Sequence, residues 1–248
     1  MVAARGAIRA STLAAIGGTP VVKLSKLVPT GSADVLVKLE YFNPTGSYKD
    51  RMALAMIQEA ERRGDLRPGM TVVEYTGGST GSSLAFVCAV KGYPFKVVSS
   101  DAFALEKRQT MRAFGADVLE MHSPSGKITP DLIPSMQAKA RELAAAPGTY
   151  WTDQFNNRDA LVGYAGIGRE LLEQVDRPID LFCGGVGVGG MLLGVSRALR
   201  DGGSRARIVA LEPAGSPVLT TGRAGPHHVE GIGVGFRPPL LSPDSYDE

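Results

Sequence analysis

The stretch Ile179–Gly190, IDLFCGGVGVGG, joins an apolar strand pattern to a run of glycines, and it decides the fold class. A helical pattern follows at Gly190–Arg200, and a second apolar strand pattern follows at Ile208–Leu211. A strand, a helix and a strand in this order are typical of a unit whose two strands run parallel. Such units bind ligands beyond the carboxyl ends of their strands, so we predict that the glycine run is a ligand-binding loop.

The same alternation extends through the rest of the chain. Short apolar stretches predict strands at 35–37, 72–73 and 95–98, and helical patterns lie at 50–63, 80–91, 105–114, 131–145 and 159–173. Gly64, Gly92 and Gly115 follow three of these helices, in the position where glycine often ends a helix. The sequence therefore predicts an α/β fold in which a mainly parallel sheet is flanked by helices.

The composition is that of a globular protein and disfavours several classes of protein function. Of the 248 residues 44% are hydrophobic, and 27 basic against 25 acidic residues give a net charge of +2. A charge so close to zero disfavours a surface for nucleic acid or membrane, and no apolar run is long enough to span a bilayer. Met1–Ala15 lacks the apolar centre of a signal peptide, so we expect a cytoplasmic protein. The two cysteines, Cys88 and Cys183, have no metal-ligand spacing, so we predict no metal site.

A second stretch that could carry chemistry is Asn43–Arg51, NPTGSYKDR, which follows a predicted strand and begins a predicted helix. Lys49 falls in the first helical turn, where the positive end of the helix dipole disfavours an ammonium group. Partial burial would lower the pKa of this lysine further. A lysine of lowered pKa suits Schiff-base chemistry, but this stretch alone fits a solvated lysine at an ordinary helix start equally well.

A third stretch, Glu74–Gly81 (EYTGGSTG), also leads from a strand into a helix. Its backbone N–H groups and the hydroxyls of Thr76, Ser79 and Thr80 would meet at a helix N-terminus, an arrangement that binds a carboxylate or a phosphate. The alternative is a tight turn in which one Ser or Thr caps the helix. Capping explains one hydroxyl but not three hydroxyls and three glycines within six residues, so we favour an anion site.

The glycine run has two interpretations of its own. Gly185, Gly187 and Gly190 form a G-x-G-x-x-G pattern, and Glu212 ends the next strand 22 residues later, as in a dinucleotide-binding unit. Alternatively, the backbone N–H groups of the loop hold a single phosphate. The local pattern alone leaves both interpretations open.

In this order, the three stretches resemble the fold-type II pyridoxal-phosphate enzymes, close to the cysteine synthase and cystathionine β-synthase branch. Four further stretches are similar to the same family, namely Gly17–Val22, Gln154–Asn157, Glu212–Pro213 and Gly231–Phe236. The resemblance implies two domains of mainly parallel sheet with the cofactor between them. The smaller, mobile domain would span 47–155, and the larger one would combine 1–46 with 156–248. It also implies a homodimer.

The resemblance further implies a role for each site residue. Lys49 would hold pyridoxal 5'-phosphate as a Schiff base and then act as the base for the α-proton of the substrate. The other cofactor contacts would come from Ser79, Gly185, Gly187, Val188, Gly189, Gly190 and Met191, and the substrate contacts from Thr76, Gly77, Thr80, Gln154, Gly231 and Gly233. The reaction would be β-replacement on a small amino acid, serine or an O-activated serine, as when O-acetylserine and sulfide give cysteine and acetate.

Three departures from the family pattern bear on this hypothesis. Ser79 stands where the family usually has Asn, and Val188 and Met191 stand where it usually has Thr. The chain also stops at Glu248, before the family's closing elements, so we expect a longer functional protein or a partner subunit that covers the exposed side. The alternatives are a Ser/Thr dehydratase-type lyase, an NAD-dependent oxidoreductase, and a cofactor-depleted pseudoenzyme that acts as a binding protein.

Overall fold

A computed structural model describes residues 8–124, 126–129 and 131–248. Residues 1–7, which belong to the predicted larger domain and to the expected N-terminal start, lie outside the described residues. The strands are β1 (Val21–Lys23), β2 (Leu36–Lys38), β3 (Thr71–Tyr75), β4 (Phe95–Ser100), β5 (Asp117–Met121), β6 (Thr149–Trp151), β7 (Leu181–Gly185) and β8 (Arg207–Leu211). The helices are α1 (Lys49–Arg63), α2 (Ser79–Lys91), α3 (Leu105–Ala113), α4 (Leu132–Ala144), α5 (Ala160–Gln174), α6 (Gly190–Asp201) and α7 (Val218–Thr221).

The described strands form three sheets. A four-stranded parallel sheet has the order β5-β4-β3-β6, β7 pairs with β8 in parallel, and β1 pairs with β2 in antiparallel fashion. The apolar side chains of the two central strands are buried on both faces, as in Val72, Val73, Val97 and Val98. Continuous apolar runs of this kind are what a sheet covered by helices on both sides requires. The predicted α/β fold with parallel sheets is therefore confirmed.

Helix α1 connects the two parallel sheets, because its two faces belong to different cores. Ala53 and Ile57 pack in one cluster with residues of α2, whereas Met52 and Met56 pack in another with residues of α5 and α6. The contact with α5 is at backbone distance, since a Cβ at Gly163 would lie 2.1 Å from the carbonyl oxygen of Arg51. Only glycine permits so close a helix crossing, so α1 is held tightly against α5.

A network of buried charges fixes the start of α1 to the N-terminal segment. Arg51 pairs with Glu40 at 2.8 Å and with Glu170 at 2.6 Å, and Lys38 reaches Glu170 at 2.6 Å. Burial alone would raise the pKa of Glu170, but the hydrogen bonds from Arg51 and Lys38 lower it to about 2. This network ties three distant parts of the chain together at Arg51, two residues along α1 from Lys49.

The β7–β8 pair exposes apolar side chains. Leu181 is 49% exposed and Leu211 is 46% exposed. The last residue of the chain runs beside β8, where Glu248 accepts a hydrogen bond of 2.7 Å from the Ala210 N–H. What covers this sheet, and the division of the chain into two domains, stay predictions.

The predicted elements agree with the structure to within one or two residues at most ends. The sequence patterns at 50–63, 80–91 and 190–200 correspond to α1, α2 and α6. Strands β1, β5 and β6 and the short helix α7 have no predicted range, because their sequences carry few apolar residues in a regular period. Among the described helices, none has the length and apolarity that a bilayer crossing requires.

Candidate active site

Lys49 is the first residue of α1, as the sequence predicts, and its side chain is buried. The amine Nζ lies 5.2 Å from the ring centroid of Tyr48 and 5.8 Å from that of Tyr164. Burial lowers the pKa of Lys49 to about 8. An amine that is neutral in an appreciable fraction of molecules near neutral pH can attack an aldehyde or accept a proton.

The glycine run forms the loop between β7 and α6. Gly189 is the N-cap of α6 with φ 82°, which an L-residue rarely adopts, and no side chain caps the helix. Among the described residues, no protein acceptor is recorded for the backbone N–H groups of 187–189, although these residues are buried. Buried donors of this kind normally have a partner. The loop therefore fits an anion such as a phosphate, bound at the positive end of α6.

Tyr164 brings the lysine and the glycine run together. Its ring is fully buried and faces Lys49 Nζ, and a Cβ at Gly190 would lie 3.1 Å from its Cε2 atom. At Gly194 a Cβ would lie 2.7 Å from the Tyr164 Cβ, so the glycines let α6 approach the tyrosine closely. A helical aromatic residue looks like ordinary core in the sequence, and for that reason its place beside the lysine was missed.

The predicted anion site at Thr76–Gly81 lies at the start of α2. Gly78 is the N-cap of this helix and no side chain caps it, so the alternative in which a Ser or Thr is the cap is wrong. The Thr76 hydroxyl accepts a hydrogen bond of 3.2 Å from the Gly78 N–H, and Ser79 is the first helical residue. A Cβ at Gly77 would lie 2.1 Å from the ring of Phe103, so glycine is required where this ring packs.

Thr80 and Gln154 meet although they are far apart in the sequence. The Thr80 hydroxyl donates to the Gln154 side-chain oxygen at 2.8 Å, and Gln154 Nε2 donates to the Tyr75 carbonyl at 3.3 Å. Both side chains are buried. The structure thus brings the glutamine loop and the start of α2 into one predicted substrate site.

Glu74, at the end of β3, supports this arrangement and was not predicted. Its carboxylate accepts hydrogen bonds from the Tyr75 N–H at 2.8 Å, the Thr152 hydroxyl at 2.7 Å and the Gln154 N–H at 3.0 Å. Burial raises the pKa of Glu74 to about 7, and these hydrogen bonds oppose the rise. Its sequence signal is a charged residue within an otherwise apolar strand.

The late loop Gly231–Phe236 packs on the glycine run. A Cβ at Gly187 would lie 2.4 Å from the carbonyl oxygen of Gly231, and the Gly233 N–H donates to the Val186 carbonyl at 2.9 Å. The Phe236 ring lies 5.5 Å from that of Phe155, which follows Gln154. Through this loop the predicted cofactor residues adjoin the predicted substrate residues.

Val188 and Met191 do not turn their side chains into the loop as hydroxyl donors would. The Val188 side chain is buried in an apolar cluster with Phe155 and Tyr75. The Met191 Cε atom lies 3.0 Å from where a Cβ at Gly184 would be. What these two positions offer to a bound phosphate is their backbone, and their role as cofactor contacts stays a prediction.

Glu212 is engaged elsewhere. Its carboxylate accepts hydrogen bonds from the Leu219 N–H at 2.7 Å and from the Thr220 N–H and hydroxyl at 2.9 and 2.7 Å. These bonds place it beside the start of α7, where it accepts N–H groups of the first turn. The dinucleotide interpretation needs Glu212 to bind a ribose. For that, Glu212 would have to break its hydrogen bonds to Leu219 and Thr220.

Comparison with known proteins shows the family of this chain. The model of the family described as pyridoxal-phosphate dependent enzyme matches residues 12–248. The chain belongs to this family. A cysteine synthase of Staphylococcus aureus (strain N315) is 45% identical over 236 residues, which cover 94% of this chain and 74% of that protein.

Solved structures of the family lead to the same conclusion. An O-ureido-L-serine synthase superposes with a TM-score of 0.90 at 34% identity, covering 98% of this chain and 75% of that one. A cysteine synthase from Entamoeba histolytica superposes with a TM-score of 0.90 at 31% identity, covering 100% and 73%. Family membership shows that the cofactor is pyridoxal phosphate, which disfavours the dinucleotide interpretation of the glycine run. That the glycine run holds the phosphate of this cofactor stays a prediction. No group of three or more metal-ligating side chains occurs within the part of the chain that the structure describes.

Proposed function

We propose that this pyridoxal-phosphate enzyme is a cysteine synthase, which converts O-acetylserine and sulfide into cysteine and acetate. The observation that carries the proposal is the buried amine of Lys49, whose pKa burial lowers to about 8, beside a loop of unpartnered backbone donors. The cysteine synthases among its relatives support the choice of reaction. In the net reaction a carbon–oxygen bond at the β-carbon breaks and a carbon–sulfur bond forms, without net oxidation or reduction.

The residues present fit the cofactor. Lys49 supplies the amine for its aldehyde, and the buried N–H groups of 187–189 supply donors for its phosphate. Ser79 offers a hydroxyl at the start of α2, although it is shorter than the Asn that the family usually has. When bound, pyridoxal phosphate supplies an electron sink for the bonds around the substrate α-carbon.

Lys49 is also the candidate base. A neutral amine at Nζ can accept the α-proton, hold it as an ammonium group between the rings of Tyr48 and Tyr164, and return it at the end of the reaction. The low pKa makes both directions of transfer feasible near neutral pH. Burial keeps water from this proton while it is held.

Four residues are proposed to bind the substrate carboxylate, namely Thr76, Gly77, Thr80 and Gln154. The start of α2 offers backbone N–H groups at the positive end of a helix without a side-chain cap. The hydrogen bond between Thr80 and Gln154 holds two of these side chains in one arrangement. Gly231 and Gly233 of the late loop are proposed as further substrate contacts, and a Cβ at Gly231 would meet nothing within 4 Å.

The proposal is tested with purified protein loaded with pyridoxal phosphate. O-acetylserine and sulfide are supplied, cysteine is quantified, and Lys49→Ala is the matched control. We expect cysteine from the native chain and none above background from the variant. Pyruvate from serine without any cysteine would replace the proposal by the lyase alternative. Cofactor binding without turnover of either substrate would replace it by the binding-protein alternative.

We also propose a homodimer in the cytoplasm, with a mobile domain at 47–155. The exposed aromatic pair Tyr41 and Phe42, 63% and 58% exposed, offers an apolar patch of the kind that subunits cover. Cys88 and Cys183 are both free, which suits a reducing compartment. Sedimentation velocity and cell fractionation test these points; a monomer, or a protein outside the cytosolic fraction, would contradict them.

A further inference from the structure

The imidazole of His227 is held between two backbone groups of its own loop. Its Nε2 atom lies 2.8 Å from the carbonyl oxygen of Gly233, and its Nδ1 atom accepts a hydrogen bond of 3.3 Å from the Val229 N–H. Because Nδ1 accepts an N–H, it carries no proton in this arrangement. The ring proton is therefore assigned to Nε2, which donates to Gly233.

The peptide that His227 holds is in direct contact with the cofactor loop. Gly233 has φ 72°, and a Cβ there would lie 2.6 Å from the His227 Nε2 atom. While its carbonyl binds the imidazole, its own N–H donates to the Val186 carbonyl at 2.9 Å. A continuous chain of hydrogen bonds thus runs from His227 through Gly233 to the first turn of the glycine run.

The same loop backs the unpartnered donors. The carbonyl oxygen of Gly231 packs against Gly187, and the Ile232 side chain packs against Gly185. These contacts press the late loop onto the backbone whose N–H groups have no protein acceptor among the described residues. The orientation of those N–H groups therefore depends on the late loop being in place.

We propose that His227 is a positioning residue of this enzyme: by donating from Nε2 to Gly233, it holds the late loop against the glycine run and so sets the affinity for pyridoxal phosphate. Loss of the His227 side chain should also weaken substrate binding. Only this second consequence rests on the proposed function. His227 touches neither cofactor nor substrate in this role. It acts through the backbone of two loops.

The hydrogen bond from His227 to Gly233 is not accompanied by an ion pair to the imidazole among the described residues. His227 Nε2 and Pro213 Cγ both lie within 3 Å of where a Cβ at Gly233 would be, and His227 Cβ lies 3.8 Å from where a Cβ at Gly215 would be. Among the described histidines, the one in an ion pair is His122. The carboxylate of Glu212, which precedes Pro213, is bound to the start of α7. On its own segment, His228 and Glu230 are exposed. The loop is therefore held by a neutral donor and acceptor pair.

The experiment compares three variants with the native chain. His227→Gln keeps a donor near the position of Nε2, His227→Asn keeps only an acceptor near Nδ1, and His228→Asn changes the exposed neighbouring histidine. Hydrogen exchange of the amides at 231–236 is measured in cofactor-free protein. Pyridoxal phosphate is then titrated into each variant and followed by its absorbance. Neither measurement needs turnover, so failure of the proposed reaction would not affect the result.

We expect His227→Asn to exchange these amides roughly tenfold faster and to bind the cofactor roughly tenfold more weakly, as the loss of one partly buried hydrogen bond predicts. His227→Gln should recover most of both, and His228→Asn should match the native chain. Native exchange and affinity in His227→Asn, or a His227→Gln variant no better than it, would overturn the proposal. Equal acceleration in α3, a helix that contacts β5 of the four-stranded sheet, would show general destabilisation and would overturn it too.

Discussion

The Thr80 hydroxyl donates a hydrogen bond of 2.8 Å to the side-chain oxygen of Gln154, 74 positions further along the chain. Because each residue fixes the other, their contributions to substrate binding are coupled rather than independent. The amide nitrogen of Gln154 is held in turn by the Tyr75 carbonyl. The glutamine therefore presents one defined face to the start of α2.

Replacing Thr80 by Val or Gln154 by Met is expected to weaken amino-acid binding by about tenfold each, since each change removes a hydrogen bond to a charged group or its support. The double variant should bind far more tightly than the product of the two losses predicts, because the pair acts as a unit. Titrating O-acetylserine into cofactor-loaded protein by absorbance gives the affinities. Thr110→Val is the control, because the Thr110 hydroxyl donates to the Glu106 carbonyl in an exposed hydrogen bond within α3. Strict multiplicativity would contradict the coupling.

The low pKa of Lys49 makes the stability of the cofactor-free chain depend on pH. The unfolded amine has a pKa of 10.5 and the folded one about 8, so between these values the unfolded state binds more protons. Stability attributable to Lys49 is therefore present above 10.5 and is lost as the pH falls through 8. From pH 7.5 to 9.5 the native chain should gain about 2 kcal/mol relative to Lys49→Met, as measured by urea unfolding of both. Parallel curves for the two proteins would argue against a buried amine.

Glu74 gives a dependence of opposite sign. Burial raises its pKa from 4.5 to about 7, so the folded state holds a proton that the unfolded state has lost in this interval. The stability from the protonated form is complete below 4.5 and is lost as the pH rises through 7. Between pH 4 and pH 7 the native chain should lose about 3 kcal/mol relative to Glu74→Gln. Urea unfolding measures this loss, and Glu142→Gln is the control because Glu142 is mostly exposed. The same dependence of the free energy of unfolding on pH in all three proteins would refute the prediction.

Substitution of two glycines at the ends of α6 distinguishes the loss of stability caused by left-handed backbone from the loss of cofactor affinity. Gly189 and Gly203 have φ of 82° and 79°, and a Cβ meets nothing within 4 Å at Gly203 but lies 3.0 Å from Leu241 Cβ at Gly189. Alanine at either position should cost about 1–2 kcal/mol of stability, because both require left-handed backbone. Only Gly189→Ala should also weaken pyridoxal-phosphate binding, by roughly tenfold, since it shifts the donors of 187–189. Equal cofactor affinity of the two variants would contradict the phosphate site proposed here.

The sequence predicted what local patterns encode. Lys49 could be placed in the first turn of α1 because the apolar period begins just after it, and Gly64 marks the end of that helix by its left-handed backbone. The partners of Glu74 could not be predicted, because Thr152 and Gln154 come from a loop almost eighty residues away. Tyr164 and His227 were missed for a related reason. Their roles depend on the backbone and side chains that the fold places against them. A local pattern of apolar residues carries no information about such contacts.

The crossing at Gly163 determines which parts of this enzyme can move. With the α5 backbone against the Arg51 carbonyl, and with Arg51 itself bound to Glu170 on α5, helix α1 cannot slide or tilt without α5. The amine of Lys49 is therefore fixed in the same rigid frame as the start of α6. Within the proposed mobile domain 47–155, closure is therefore expected of α2 and its sheet rather than of α1, and the Lys49 amine keeps its position relative to α5 and α6. Enlarging Gly163 would shift Lys49 through the contact between α1 and α5, at a position that is not among the predicted ligand contacts.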